Sequence, residues 1–178
     1  MRKTRAAAPK PALIAVDGLD PAALFAEARA ALGAPSRGGI SKWDASGVFQ
    51  ELAVAEDAAG APSARTLLLL YAADLAFRLR WQIRPALAEG RTVVAAPYVD
   101  TALAFGRAAG IKPAWLMNLF KFAPRAAKRR FVHATAARAA DVKDGFVGFS
   151  VGRMAADKSA RRRMLTRTAA ELRGRFDR

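Results

Sequence analysis

Residues 11–16, PALIAV, form an unbroken apolar run closed by Asp17-Gly18, and the helical stretch PAALFAEARAALG follows within four residues. A run this short that is apolar at every position suits a strand buried on both pleat faces, which occurs where helices cover both sides of a parallel sheet. The pattern recurs further on. A long helical stretch over 63–89 contains TLLLLYAADLAFRLRW, ends at Gly90, and leads into the apolar run RTVVAA. Strand, helices, strand, helix is the alternation of an α/β fold with a mostly parallel sheet flanked by helices.

The remaining segments fill in this frame. Residues 1–10 read as a basic flexible tail, and APSRGGISKWDASG reads as a loop rich in turn formers. A helix is expected over VFQELAVAEDAA, and Pro85 is expected to kink the end of the long helix. A further helix is expected at PAWLMNLFKFA, with Trp81 and Trp115 as packing residues, and a strand at RRFVHA. A last helix over 155–176 turns Met164, Leu165, Ala169, Leu172 and Phe176 to one side and arginines to the other. There is no internal repeat or low-complexity linker, so 11–178 reads as one domain.

Composition narrows the setting. The chain has no cysteine, which excludes disulfides and thiolate metal sites and points to a reducing cytoplasm. The apolar run at 12–16 is too short for the core of a signal peptide, and Asp74, Arg78 and Arg80 interrupt the longest apolar region, so no membrane span is expected. The formal charge is +15, and residues 119–178 carry 16 Lys/Arg against 5 Asp/Glu, a balance of +11. Such a field favours nucleic acid, a membrane surface or an acidic protein, and a merely solvated basic face fits it equally.

The stretch from LLLLYAADLAFRLRW through IRPALAEG to YVDTALAF resembles the thymidylate kinases in the order and spacing of its motifs. VDGLD at the end of the first strand resembles the opening of that family's phosphate loop, and SRGG is loosely similar to its Arg-Glu-Pro-Gly-Gly. The resemblance covers about residues 11–123; from 124 to 178 the chain is divergent and strongly basic. It implies a P-loop-kinase-like three-layer architecture and a homodimer formed through helices.

The positions where that family keeps its chemistry hold other residues. After Gly18 and Asp20, the loop has Pro21, Ala22, Ala23, Leu24 and Phe25 where the family has Gly, Ser, Gly, Lys and Ser/Thr. Lysine neutralises phosphate, the hydroxyl holds magnesium, and glycines let backbone N–H groups close around oxygen; none of the replacements does this. Ala96 and Pro97 replace Asp-Arg, Leu75 replaces an arginine, and Gly106 replaces the glutamine that reads the base. These four places are expected to meet at one cleft. Asp20-Pro21 instead reads as a helix start, with Asp as N-cap and Pro at the first helical position.

Other candidates are weaker. Asp17, Asp44 and Asp100 lack a fixed third ligand, so no metal or cofactor is expected and caps or turns explain them. His133 is the only histidine and has no nucleophile to serve. Arg37 and Trp43 could stack on and pair with a ligand, or Trp43 could pack on a helix. Tyr98 and Asp100, the run Lys128, Arg129, Arg130, and the run Arg161, Arg162, Arg163 complete the binding candidates. The reading is a non-catalytic scaffold or regulatory subunit acting through a protein partner. The alternatives are nucleic-acid binding by the basic third, or binding and turnover of a nucleotide or phosphometabolite at an atypical site.

Overall fold

The first strand, β1 (Leu13–Asp17), lies inside a four-stranded sheet whose order is β2-β3-β1-β4. The computed structural model describes residues 11–33, 38–43, 60–134 and 136–177; the tail at 1–10, Arg37, Asp44 and the expected helix at 48–59 lie outside them. The other strands are β2 (Gly39–Lys42), β3 (Val93–Ala96) and β4 (Lys128–Phe131). Every pairing is parallel, with Ile14 opposite Val94 on one side of β1 and Lys128 on the other. The pleat sorts the side chains into two layers. Leu13, Ala15, Val93 and Ala95 belong to the larger core, while Ile14, Val16, Val94 and Ala96 belong to a smaller one with Leu24 and Ala28.

That smaller core is the contact with α1 (Pro21–Leu32). The other face is covered by α2 (Ala64–Arg78), which runs through a π-helical turn at Leu79–Ile83 into α3 (Arg84–Ala88). It is joined by α4 (Val99–Ala108), α5 (Pro113–Leu119), the short α6 (Ala136–Ala140), α7 (Gly145–Met154) and α8 (Lys158–Phe176). Helices on both faces of an all-parallel sheet make the three layers.

Several details differ from the sequence reading, among them the helices α4 and α6, which it did not contain. The stretch read wholly as loop contains β2, because four residues with one apolar member carry no periodicity and pair through the backbone with Val93–Ala96. Trp81 is not a packing residue; it is 61% exposed. Six residues past Leu75 and two past Leu79, Trp81 falls off the buried row of the helix, and the π turn, with its extra residue per turn, continues that row through Ile83. Helix α7 was not anticipated, since Gly145, Gly148 and Gly152 depress its apparent helix propensity.

The two sides of α2 give a direct check. Leu67 is fully buried and Leu69 exposed. Leu67→Ala is expected to cost about 3 kcal/mol in urea unfolding, and Leu69→Ala less than about 0.5 kcal/mol.

Candidate functional site

Asp17 ends β1 and is completely buried. Its Oδ1 accepts from the Tyr98 N–H (3.0 Å), the Thr101 N–H (2.9 Å) and the Thr101 hydroxyl (2.8 Å). The Thr101 hydroxyl accepts in turn from the Gly18 N–H at 3.1 Å. A carboxylate at the first turn of α4 satisfies donors the helix leaves free and complements its dipole. Burial, reinforced by the nearby Asp100, raises the Asp17 pKa from 3.8 to about 6 against those hydrogen bonds. Its Oδ2 has no hydrogen-bond partner among the described residues.

Arg78, fully buried on α2, supports the same turn from the other side. It donates through Nε to Asp74 Oδ2 (2.8 Å) and through Nη1 to the Pro97 carbonyl (3.3 Å). The Tyr71 hydroxyl also donates to the carbonyls at Pro97 and Tyr98, and burial pushes its pKa up beyond the tyrosine range. Arg78 escaped the sequence reading because a lone arginine in a leucine-rich helix reads as a surface residue. Asp74 one turn earlier, on the face of Leu67, Tyr71 and Leu75, was the available signal.

The first turn of α1 has no donor left for a ligand. Pro21 lacks an N–H, Ala22 and Ala23 donate to Asp20 Oδ1 at 2.9 and 3.3 Å, and Leu24 donates to the Asp20 carbonyl at 2.9 Å. Leu24 turns into the core beneath α1. Phe25 stays half-exposed under the Arg29 guanidinium. Gly145 sits directly on this turn. Its φ of 71° favours glycine, and a Cβ there would lie 2.7 Å from Pro21 Cγ.

Between this turn and the ends of β2 and β3 lies a cavity of about 380 Å³. Pro21, Leu24, Phe25, Trp43, Ala96 and Phe146 line it, and among the described residues Lys42 is the only cation that does. The crevice at the carboxyl ends of parallel strands is where such folds bind ligands. Here it is mainly apolar.

Only part of the expected cleft assembles. Ala96 and Pro97 border the cavity with the α1 turn, whereas Leu75 is closed into the core. Gly106 is closed too, since a Cβ there would lie 2.5 Å from Leu116 Cδ2. The interior beyond the cavity is filled by Phe146, whose ring centroid lies 4.3 Å from Tyr71, 5.3 Å from Phe105 and 6.0 Å from Trp43. Trp43 is buried against α7. It lines the cavity and packs on a helix at once.

The basic candidates lie elsewhere. Asp100 is buried between Arg129 and Arg175, and Arg130 pairs with Glu27. Tyr98 donates to the Pro124 carbonyl at 2.7 Å, and burial pushes its pKa above the tyrosine range. Arg161 donates to the Val142 carbonyl (3.0 Å) and Arg163 to the Ser159 hydroxyl (2.6 Å); Arg162 and Lys128 are exposed. Trp115 is half-buried under Arg65, and exposed His133 packs on Phe131. Among the described residues no three His, Asp or Glu side chains gather as a metal site, and no helix is long and apolar enough to cross a membrane.

This arrangement of sheet and helices is the P-loop-kinase-like α/β fold of the thymidylate kinases. A thymidylate kinase from Ehrlichia chaffeensis superposes with a TM-score of 0.56 over 70% of this chain and 72% of its own, at 14% identity. Proteins described as probable thymidylate kinases from Pyrococcus abyssi and Pyrococcus horikoshii are each 42% identical over 57 residues, 32% of this chain. The matched region spans 28% of the length of those relatives. No family model matches the chain.

Asp17 supplies a pH test. A carboxyl raised from 3.8 to about 6 keeps, in the native chain, a proton that the unfolded chain has released. Its contribution to stability therefore falls as pH rises through that window, by about 3 kcal/mol, and then levels off. Asp17→Asn keeps the Oδ1 acceptor and removes the titration. Urea unfolding of parent and variant should show a difference that changes between pH 4 and 6.5; a constant difference would contradict the assignment.

Proposed function

We propose that this chain keeps a thymidylate-kinase fold without phosphoryl transfer and acts through a protein partner, as a scaffold or regulatory subunit. The observation that carries the reading is the occupied first turn of α1, where Asp20 takes the donors that would otherwise face phosphate. Phosphoryl transfer depends almost wholly on cations and backbone donors placed around the moving group, and loss of one such cation costs about 10³-fold or more. Leu24 in the core and Ala96-Pro97 at the cavity provide neither charge nor a metal ligand.

The partner surface that fits best is the outer side of α2 and its π turn. Leu69, Phe77 and Trp81 are all more than half exposed, and the Phe77 and Trp81 rings lie 6.5 Å apart. Large apolar side chains aligned on one exposed helix face mark protein contacts. A second copy of the chain is the first partner to test. This surface replaces the loop around Trp43 in the reading, because Trp43 is buried.

A second reading, nucleic-acid binding, draws on the exposed arginines Arg162, Arg163, Arg167 and Arg173 of α8. It requires affinity that weakens steeply with salt. The third alternative, an atypical nucleotide or phosphometabolite site, would use the cavity beside Lys42.

The purified chain with magnesium, adenosine triphosphate and thymidylate is expected to form no diphosphate above background. A variant with the glycine–lysine loop restored at 21–25 should form none either. Sedimentation is expected to show an assembly that Phe77→Glu dissolves. Turnover by either protein, or a monomer that recovers no companion from its native cell, would overturn the proposal.

A further inference from the structure

A second cavity, of about 420 Å³, opens between α4, α5 and the segment leading into β4. It lies away from the α1 turn, and nothing proposed above uses it. Its floor is apolar, made by Leu103, Phe120 and Ala123, with Met117 at 62% exposure on its border. Its charged lining is Lys121, Arg125, Arg129 and Arg175, against one acid, Asp100. The local balance is therefore +3.

Two of those cations are held in place. Arg129 sets Nε and Nη2 at 2.9 and 2.7 Å from Asp100 Oδ2, and Arg175 sets Nε and Nη2 each at 2.7 Å from Oδ1. One buried carboxylate thus fixes two guanidiniums side by side. Phe176 adds a ring face 4.6 Å from the Arg129 guanidinium and is itself stacked on Phe131. A guanidinium has five N–H donors, so each keeps three after its contact with Asp100. Donors immobilised beforehand lose less freedom on binding an anion than mobile surface arginines do. Lys121 and Arg125 form no ion pair among the described residues.

We propose that this cavity binds an amphipathic organic anion. Its apolar body lies on the Leu103–Phe120 floor, and its terminal phosphate or carboxylate meets Arg129 and Arg175, with Lys121 and Arg125 around it. A bare inorganic ion would leave the floor unused, and a neutral apolar molecule would leave the excess positive charge unanswered. An extended polyanion would reach the rim and not the floor.

The test is an amide and methyl NMR titration of the full chain with monooctyl phosphate, octanoate and inorganic phosphate, each below its aggregation threshold. Saturable one-to-one binding of at least one octyl anion is expected, with shifts at Met117, Leu103 and residues 121–126. Inorganic phosphate should bind roughly tenfold or more weakly, because it buries no apolar surface. Lys121→Glu with Arg125→Glu, both at exposed positions, should weaken the octyl anion by roughly tenfold or more. Ala123→Phe, which fills the floor, should also weaken it. Equal affinity for inorganic phosphate, an unchanged affinity in the charge-reversed variant, or shifts confined to other surfaces would overturn the proposal, as would no binding. Comparing the two octyl anions identifies which head group the guanidinium pair selects.

Discussion

The carboxylate of Asp17 holds this structure together at the point where sheet and helices must agree. Three hydrogen bonds fix the end of β1 to the start of α4, and the same Thr101 hydroxyl ties in the Gly18 N–H. Arg78 and Tyr71 secure the intervening Pro97-Tyr98 turn from α2. The group is expensive to bury, and its raised pKa records that. Full satisfaction of one oxygen by the opening of a helix makes the burial tolerable, because these amides would otherwise have no partner.

Everything around the next turn follows from that anchoring. With Gly18 committed to Thr101 and the α1 donors committed to Asp20, the segment after β1 behaves as a helix cap. Helix α7 can then close over it, bringing Gly145 onto Pro21 and Phe146 among Trp43, Tyr71 and Phe105. An apolar ring packed among aromatic rings stabilises the fold where an open cleft would need water or ligand to fill it. Lys42 and the residual cavity are what stays open.

Local rules carried the reading of the sequence a long way in some places and failed in others for physical reasons. The apolar runs at β1 and β3 announced strands buried on both faces, and Asp20-Pro21 announced the start of α1. The charge-rich β4 was legible only as a short run, yet it pairs with β1 residue for residue. Four-residue β2 exists through its backbone pairing, which no side-chain pattern encodes. Trp81 lies off the buried row that runs from Leu75 through Leu79 to Ile83. Leu75 and Gly106, expected at the cleft, are closed into the core, Gly106 by Leu116 and Leu68, while α7, invisible behind its glycines, sets Phe146 among Trp43, Tyr71 and Phe105. The Arg129–Asp100–Arg175 arrangement joins residues up to 75 positions apart and left no local trace.

In the first turn of α1 the Ala22, Ala23 and Leu24 N–H groups are all taken by Asp20 and none is free for phosphate. The most direct measurement is an amide NMR titration of the full chain with magnesium pyrophosphate, following the Ala22, Ala23 and Leu24 N–H signals. Retention of the Asp20 contacts predicts that these signals stay in place at concentrations that saturate a working phosphate loop. Saturable movement of the Ala22 and Ala23 signals, abolished by competing adenosine triphosphate, would contradict it.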